Sequence, residues 1–366
     1  MDTVVRLLAI AAGTALVIAA VASAIKTVVL PRAAVSSITR FVFLTVRAAF
    51  AAWVRPSMSL AKRERRLAWY SPLGLVALLA AWLVIVLAGF TLIFWGIQGH
   101  GWQAAFTLSG SSLLTLGIVG HPSAGVTALV FAEAALGLFL LALLITFLPS
   151  IYQAFSRREL LVTALEVRAG SPPSGWELIW RFWVLERMEH LNDVWLEWER
   201  WFVDVEETHS SLPALVFFRS PQPDHHWVTA AGAVLDGAAL AVSTIDIERD
   251  VQAEFCIRAG YLCLRRIADY FGMPYEPHPR PDDPISITRD EWDDVVDDLA
   301  SQGIPIKADR DQAWRAFAGW RVNYDSNLLA LANLTSAPPA PWSSDRSGAR
   351  SFRPRLFGRG RTASGS

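Results

Sequence analysis

Residues 102–114, Trp-Gln-Ala-Ala-Phe-Thr-Leu-Ser-Gly-Ser-Ser-Leu-Leu, constrain the fold of this chain more than any other stretch. As a helix they would be about 20 Å long, too short for a hydrocarbon core of about 30 Å. They are also too apolar for a solvated loop. On either side lie apolar runs, roughly 68–97 and 124–149, each long enough to span a bilayer. A short segment in this position is either an interfacial helix in an extracellular hairpin loop or a re-entrant element. Re-entry is possible only where protein covers the segment or where it lines water. A re-entrant helix with its C-terminus at the membrane centre turns its negative dipole end toward a cation. The turn that follows, Thr115-Leu116-Gly117-Ile118-Val119-Gly120, could offer backbone carbonyls as ion ligands.

Composition agrees with a membrane protein carrying a soluble part. Of 366 residues, 53% are hydrophobic, too many for one ordinary soluble domain. Residues 1–149 hold 10 basic and 3 acidic side chains, residues 150–335 hold 17 and 30, and residues 336–366 hold 6 and 1. The pattern divides the chain into a membrane part, an acidic soluble domain and a basic tail. Cys256 and Cys263 are seven residues apart in a helical pattern. Their Cα atoms would lie about 10 Å apart, too far for a disulfide. Free thiols place this domain in a reducing compartment, the cytoplasm.

Val4 to Ile25 is a further candidate span, and the basic stretch after it, from Lys26 to Arg66, contains a single acid, Glu64. The excess of Lys and Arg places that stretch in the cytoplasm. The first helix then runs out-to-in and 68–97 runs in-to-out, with the C-terminus inside. Ala22-Ser23-Ala24 also resembles a signal-peptidase site, and cleavage there is the competing reading. Residues 34–54 carry Arg40 and Arg47 among Phe41, Phe43, Leu44, Phe50 and Trp53. They read as a basic amphipathic helix in the cytoplasmic interface, because a span would put Arg47 near mid-bilayer. A true span here is the alternative.

The run Ala105 to Gly117 resembles the pore helix and filter start of potassium channels, where Thr-x-Gly-Tyr/Phe-Gly-Asp follows. The helix after it, with Glu133 and Gly137, is similar to the inner helix of bacterial two-transmembrane pores. Residues 147–159 and 168–173 are similar to bacterial potassium-channel-family proteins with a helical cytoplasmic tail. The resemblance implies a plasma-membrane homotetramer in a bacterial inner membrane that conducts a monovalent cation, potassium in the family, with the bilayer as its other partner and no further cofactor. The filter departs from the family pattern. Ile118 stands at the aromatic position, Val119 at the second glycine, and Gly120, or His121 if one residue is inserted, at the aspartate. Alternate filter residues take positive φ to aim carbonyls inward, and a β-branched Val resists that conformation. Potassium selectivity is therefore not implied by the resemblance. Glu133 lies well inside an apolar helix, either facing the pore or bracing the pore helix through Ser109, Ser111 or Ser112, or else simply hydrogen-bonded between helices. Gly137 is a gating hinge or a close-packing residue.

Past residue 150 the pattern predicts an all-α domain to about 335. A Trp-rich stripe from Trp176 to Val205 predicts one helix over 175–207, more helices follow over 227–245, 248–271 and 308–334, and a capping box at Thr288 opens one over 288–301. The acidic face of the 288–301 helix reads as solvated, since no calcium-loop motif is present. His225-His226 lack other suitably spaced metal ligands. The acidic balance excludes nucleic acid as a partner of the Trp stripe. Residues 336–366 read as a disordered basic tail suited to anionic lipid. No nucleophile–base–acid motif, P-loop or dinucleotide fingerprint occurs, so the chain does not read as an enzyme. The expected organisation is an all-α chain with a transmembrane helix at 1–30, an interfacial segment at 31–67, a pore hairpin at 68–149, a helical cytoplasmic domain at 150–335 and the tail. A non-conducting scaffold or sensor on a pore-like fold is the alternative function.

Overall fold

The computed structural model describes residues 3–30, 36–54, 58–99, 101–120, 123–222 and 225–346. Among them there are helices and no strand; Ile245 and Ile306 form one isolated antiparallel bridge. The stretches Thr3–Val28, Leu60–Gln98 and Ala124–Ala169 are long and apolar enough to cross a membrane. The chain forms two compact units, Met1–Trp53 with Tyr70–Gln153, and Val54–Trp69 with Ala154–Ser366. The expected interfacial segment 31–67 is thus divided between them.

In the first unit, α1 (Thr3–Val28) lies antiparallel on α4 (Tyr70–Gln98). The contact runs along small residues: a Cβ on Gly89 would stand 2.8 Å from the Gly13 carbonyl oxygen, and one on Gly96 would stand 2.7 Å from the Ile10 side chain. Lipid gives apolar helices no hydrophobic reason to associate, so close backbone approach and polar contacts hold them together. Trp82 Nε1 donates to Ser23 Oγ at 3.0 Å, and Ser23 meets Ser36 at 2.6 Å. Ser23 and Ala24, at the possible cleavage site, are buried in this packing.

The amphipathic segment forms α2 (Ser37–Trp53), which is not among the helices long and apolar enough to cross a membrane. Its Phe43 ring fills the space over Gly74 of α4, and Tyr70 OH donates to the Phe43 carbonyl at 3.3 Å. Phe41 and Arg40 are exposed on the other side. A short helix, α5 (Trp102–Leu113), packs on α4, and α6 (Ala124–Ala169) follows with Pro149 inside it. His121 and Pro122, ahead of α6, lie outside the described residues.

Among its described residues the second unit contains α3 (Leu60–Leu67), the end of α6, and seven further α-helices: α7 (Gly175–Val184), α8 (Leu191–Ser211), α9 (Trp227–Ser243), α10 (Val251–Tyr270), α11 (Arg289–Ser301), α12 (Arg310–Arg321) and α13 (Asp325–Thr335). Ala-rich α9 is buried over almost its whole length, which its span-like composition permits. Gly175 and Gly237 allow α7 to touch its backbone, and α10 and α12 pack on it as well. Thr288 and Glu291 form the capping box foreseen for α11.

Three expectations change. The single helix over 175–207 is broken at 185–190, where Glu186 takes φ 55° and Met188–His190 form a 3-10 turn. The break lets Leu178 and Ile179, rather than the Trp residues of α7, form the buried face, while Trp195, Trp198 and Phe202 of α8 fill the core. The helix over 308–334 is divided by the residues between Arg321 and Asp325. Asn323 Nδ2 donates to the Gly319 carbonyl at 3.0 Å and so closes α12. The packed chain also continues past 335. Trp342 is buried against Trp176 and Phe317, with ring centroids 4.9 and 5.6 Å away, so the tail does not begin at 336. Residues 347–366, most of the expected tail, lie outside the described residues.

A candidate pore segment

Helix α5 is held by serines. Ala105, Leu108, Ser109, Ser111, Ser112 and Leu113 are buried, and Ser109 and Ser112 share one face by their i, i+3 spacing. Glu133 of α6 is fully buried opposite them. Ser109 Oγ lies 2.5 Å from one carboxyl oxygen, and Ser112 Oγ contacts the other. Ser109 Oγ also lies 3.1 Å from the Leu87 carbonyl, which Thr91 contacts at 2.7 Å, so the cluster joins α4, α5 and α6. One turn on, a Cβ on Gly137 would stand 2.6 Å from the Leu113 carbonyl oxygen. Glu133 and Gly137, four residues apart, thus form the part of α6 against which the C-terminal turn of α5 rests. Of the two roles considered for Gly137, this contact is the close-packing one.

The turn after α5 is a Schellman closure. Thr115 N–H donates to the Ser112 carbonyl at 3.0 Å, and Leu116 N–H to the Ser111 carbonyl at 2.8 Å. The residue between them must be left-handed, and Thr115 takes φ 54°. Glycine usually occupies that position; a β-branched residue there is strained by about 1–2 kcal/mol. Gly117 repeats the positive φ at 66°, so the sign alternates over 115–117. Val119 and Gly120 have no positive φ. Ile118 N–H donates to Ser111 Oγ at 3.0 Å, folding the chain back over the end of α5. Leu116 and Ile118 remain 57% and 69% exposed, and Thr115, Gly117 and Gly120 are exposed too.

The six turn residues therefore sit together at the carbonyl end of α5, with Glu133 and Gly137 behind that helix. The sequence pointed to Glu133 and its serines. It gave no sign of Thr91, of the double role of Ser111, or of the strain at Thr115, because no local pattern reports a residue forced into glycine's place.

Elsewhere the buried charges are structural. Arg158 of α6 is buried and donates to His209 Nε2 at 2.9 Å, to the Leu215 carbonyl at 2.9 Å, to the Phe218 carbonyl at 2.5 Å and to Glu159 at 2.8 Å. An arginine cannot accept, so His209 Nε2 is the acceptor, and Nδ1–H points to Thr208 Oγ at 3.1 Å. Burial and then the Arg158 charge hold the His209 pKa well below the usual histidine value. Burial, then Arg219 and Arg158, do the same to His226. Arg219 pairs with Glu64 at 2.7 Å, both buried. Arg321 pairs with Asp236 and, at 2.8 Å, with Asp325, while Tyr324 OH donates to Asp236 at 2.8 Å. Asp236, mid-way along α9, has its partner here.

The two neighbouring histidines diverge. His225 meets Glu166 at 2.6 Å, and His226 caps α9 by accepting from Val228 N–H at 3.3 Å. Among the described residues no group of three His, Cys, Asp or Glu side chains could hold a metal ion. Asp224, beside the pair, lies outside those residues. Acids of α11 are paired with arginines, Asp293 with Arg289 at 2.7 Å and Asp297 with Arg310 at 2.5 Å. Cys256 and Cys263 are free, and burial pushes both thiols up.

No family model, no curated protein and no solved structure matches the chain.

Proposed function

We propose that the protein is a potassium-channel-like membrane pore, a homotetramer that conducts monovalent cations passively across the bacterial plasma membrane, with its N-terminus outside and C-terminus in the cytoplasm. The observation that carries this reading is the carbonyl end of α5. A helix too short to cross a membrane is tied by Ser109 and Ser112 to a buried Glu133, and it ends in an exposed irregular turn. Exposed irregular backbone is not tolerated against lipid; it requires water or protein beside it. Fourfold assembly around the turn supplies both. The α5 dipole then aims its negative end at the axis.

The second half of the turn favours a second reading, a non-conducting scaffold or sensor. Ile118 N–H is spent on Ser111 Oγ, and the sign alternation of φ stops after Gly117. In the pore reading the same features leave a short carbonyl ring with poor discrimination between potassium and sodium.

Purified protein in planar bilayers tests the two. Cation current whose reversal potential shifts little between potassium and sodium supports the pore. A folded tetramer that passes no current, even as Ile118→Tyr/Val119→Gly, supports the scaffold. Strong potassium selectivity in the wild type would overturn the carbonyl argument.

A further inference from the structure

The eight residues of α3, Leu60-Ala-Lys-Arg-Glu-Arg-Arg-Leu67, hold four cations and one acid, separated from α4 by Ala68 and Trp69. At 100° per residue, Lys62, Arg65 and Arg66 fall on one side of the helix, with i, i+3 and i+4 spacing. Glu64 falls on the opposite side, about 160° from Lys62.

The structure shows what fixes that orientation. Glu64 is 1% exposed and bonds to the buried Arg219 at 2.7 Å. Arg63, at the margin, donates to the Ser336 carbonyl at 3.1 Å. The only acid of α3 is thus committed to the helical unit. Lys62 and Arg65 are exposed and have no hydrogen bond or ion pair among the described residues. Elsewhere in that unit, exposed Arg157 and half-buried Arg168 and Arg310 have carboxylate partners. Like charges one turn apart repel, and nothing on α3 offsets that repulsion.

We infer that the outward face of α3 binds the phosphates of anionic phospholipids, with Lys62 and Arg65 as the phosphate ligands and the Glu64–Arg219 pair as the fixture that turns them outward. Charge complementarity selects an anion. The two-residue tether to a membrane span selects a lipid headgroup over a soluble polyanion, and Trp69, 60% exposed between α3 and α4, is an amphipathic ring suited to headgroup depth. A topological signal needs only positive charge in this stretch. It does not need the cations gathered on one face and the acid buried on the other. The inference does not depend on whether the protein conducts.

The test is lipid retention by the full-length protein, purified from mixed micelles of phosphatidylglycerol and phosphatidylcholine and read by native mass spectrometry. The wild type should retain phosphatidylglycerol in preference, and the preference should fall as sodium chloride rises from 50 to 300 mM. Lys62→Gln/Arg65→Gln should weaken phosphatidylglycerol retention by about fivefold per cation removed. Arg157→Gln/Arg168→Gln, which removes the same charge from paired positions, should leave it unchanged. Equal retention of both lipids by the wild type, or a preference indifferent to salt, would overturn the proposal without recourse to any variant. So would equal loss in the two double variants. Displacement of phosphatidylglycerol by a soluble polyphosphate at equal phosphate concentration would assign the face to a soluble polyanion instead, which also overturns it.

Discussion

Acid should destabilise the helical unit through His209 and His226. Both are buried and neutral in the folded chain, with pKa values held well below the usual histidine range. In the unfolded chain each titrates near the ordinary value of about 6.5. Below that pH the unfolded state binds more protons than the folded state, so stability falls as pH falls. The contribution is fully present above about pH 6.5 and is lost through the window beneath it. Integrated from pH 7.5 to 5.0 with the folded rings neutral throughout, each histidine costs about 2 kcal/mol, and the pair about 4. For a unit of this size that corresponds to a melting point lower by about 8–16 °C.

The assay is tryptophan-fluorescence melting of the full-length protein in detergent, because the unit's Trp195, Trp198 and Trp227 are buried. His209→Gln keeps a carbonyl oxygen for Arg158 and removes the titration, and it should roughly halve the acid shift. Adding His226→Asn, which still caps α9, should remove most of the remainder. An unchanged pH dependence in the double variant would refute the assignment.

Three further outcomes follow from the packing. Gly137→Ala places a methyl against the Leu113 carbonyl and should cost about 1–3 kcal/mol, seen as a lower melting point of the purified protein. Arg219→Leu strands the buried Glu64 and should cost about 3–5 kcal/mol, whereas Arg219→Leu with Glu64→Leu should recover most of that in the same melt. In the proposed topology, single cysteines at positions 2 or 100 should react with an impermeant reagent from outside and those at 160 or 350 should not; labelling of 160 would reverse the orientation.

Much of the architecture was legible because membranes restrict the choices. The three apolar stretches, the short α5 between two of them and the amphipathic α2 all follow from length and charge placement. In the helical unit, the capping box at Thr288 marked the start of α11. What periodicity could not reveal was where a continuous apolar stripe changes neighbours. Trp176 to Val205 has unbroken helical spacing, yet the chain turns at Glu186 so that α7 can reach α9 and α8 can reach α10. Trp342 was hidden for the opposite reason, since a single aromatic in a Pro- and Ser-rich stretch gives no pattern, and its burial depends on Trp176 and Phe317, distant in sequence.

The turn at 115–120 marks the limit of reading a site from residue types. Its departures from the potassium pattern, Ile118 and Val119, argue against inward carbonyls in the second half, and the backbone there has no positive φ. The first half behaves otherwise, because Thr115 and Gly117 both take the left-handed conformation although only Gly117 does so without steric cost. Strain at a β-branched residue persists only where surrounding bonds over-determine the backbone. Here the two Schellman bonds to Ser111 and Ser112 do so, and Ser112 is in turn held by Glu133. The carboxylate of α6 therefore acts on Thr115 through one serine. Removing it as Glu133→Ala should release the strained turn as well as loosen α5. Thr115→Gly, which takes the same φ without a Cβ, should by contrast raise the melting point by about 1 kcal/mol's worth while leaving the turn in place. If Thr115→Gly is neutral or destabilising, the turn is not strained in the way its backbone indicates, and the link from Glu133 to the candidate ion path fails with it.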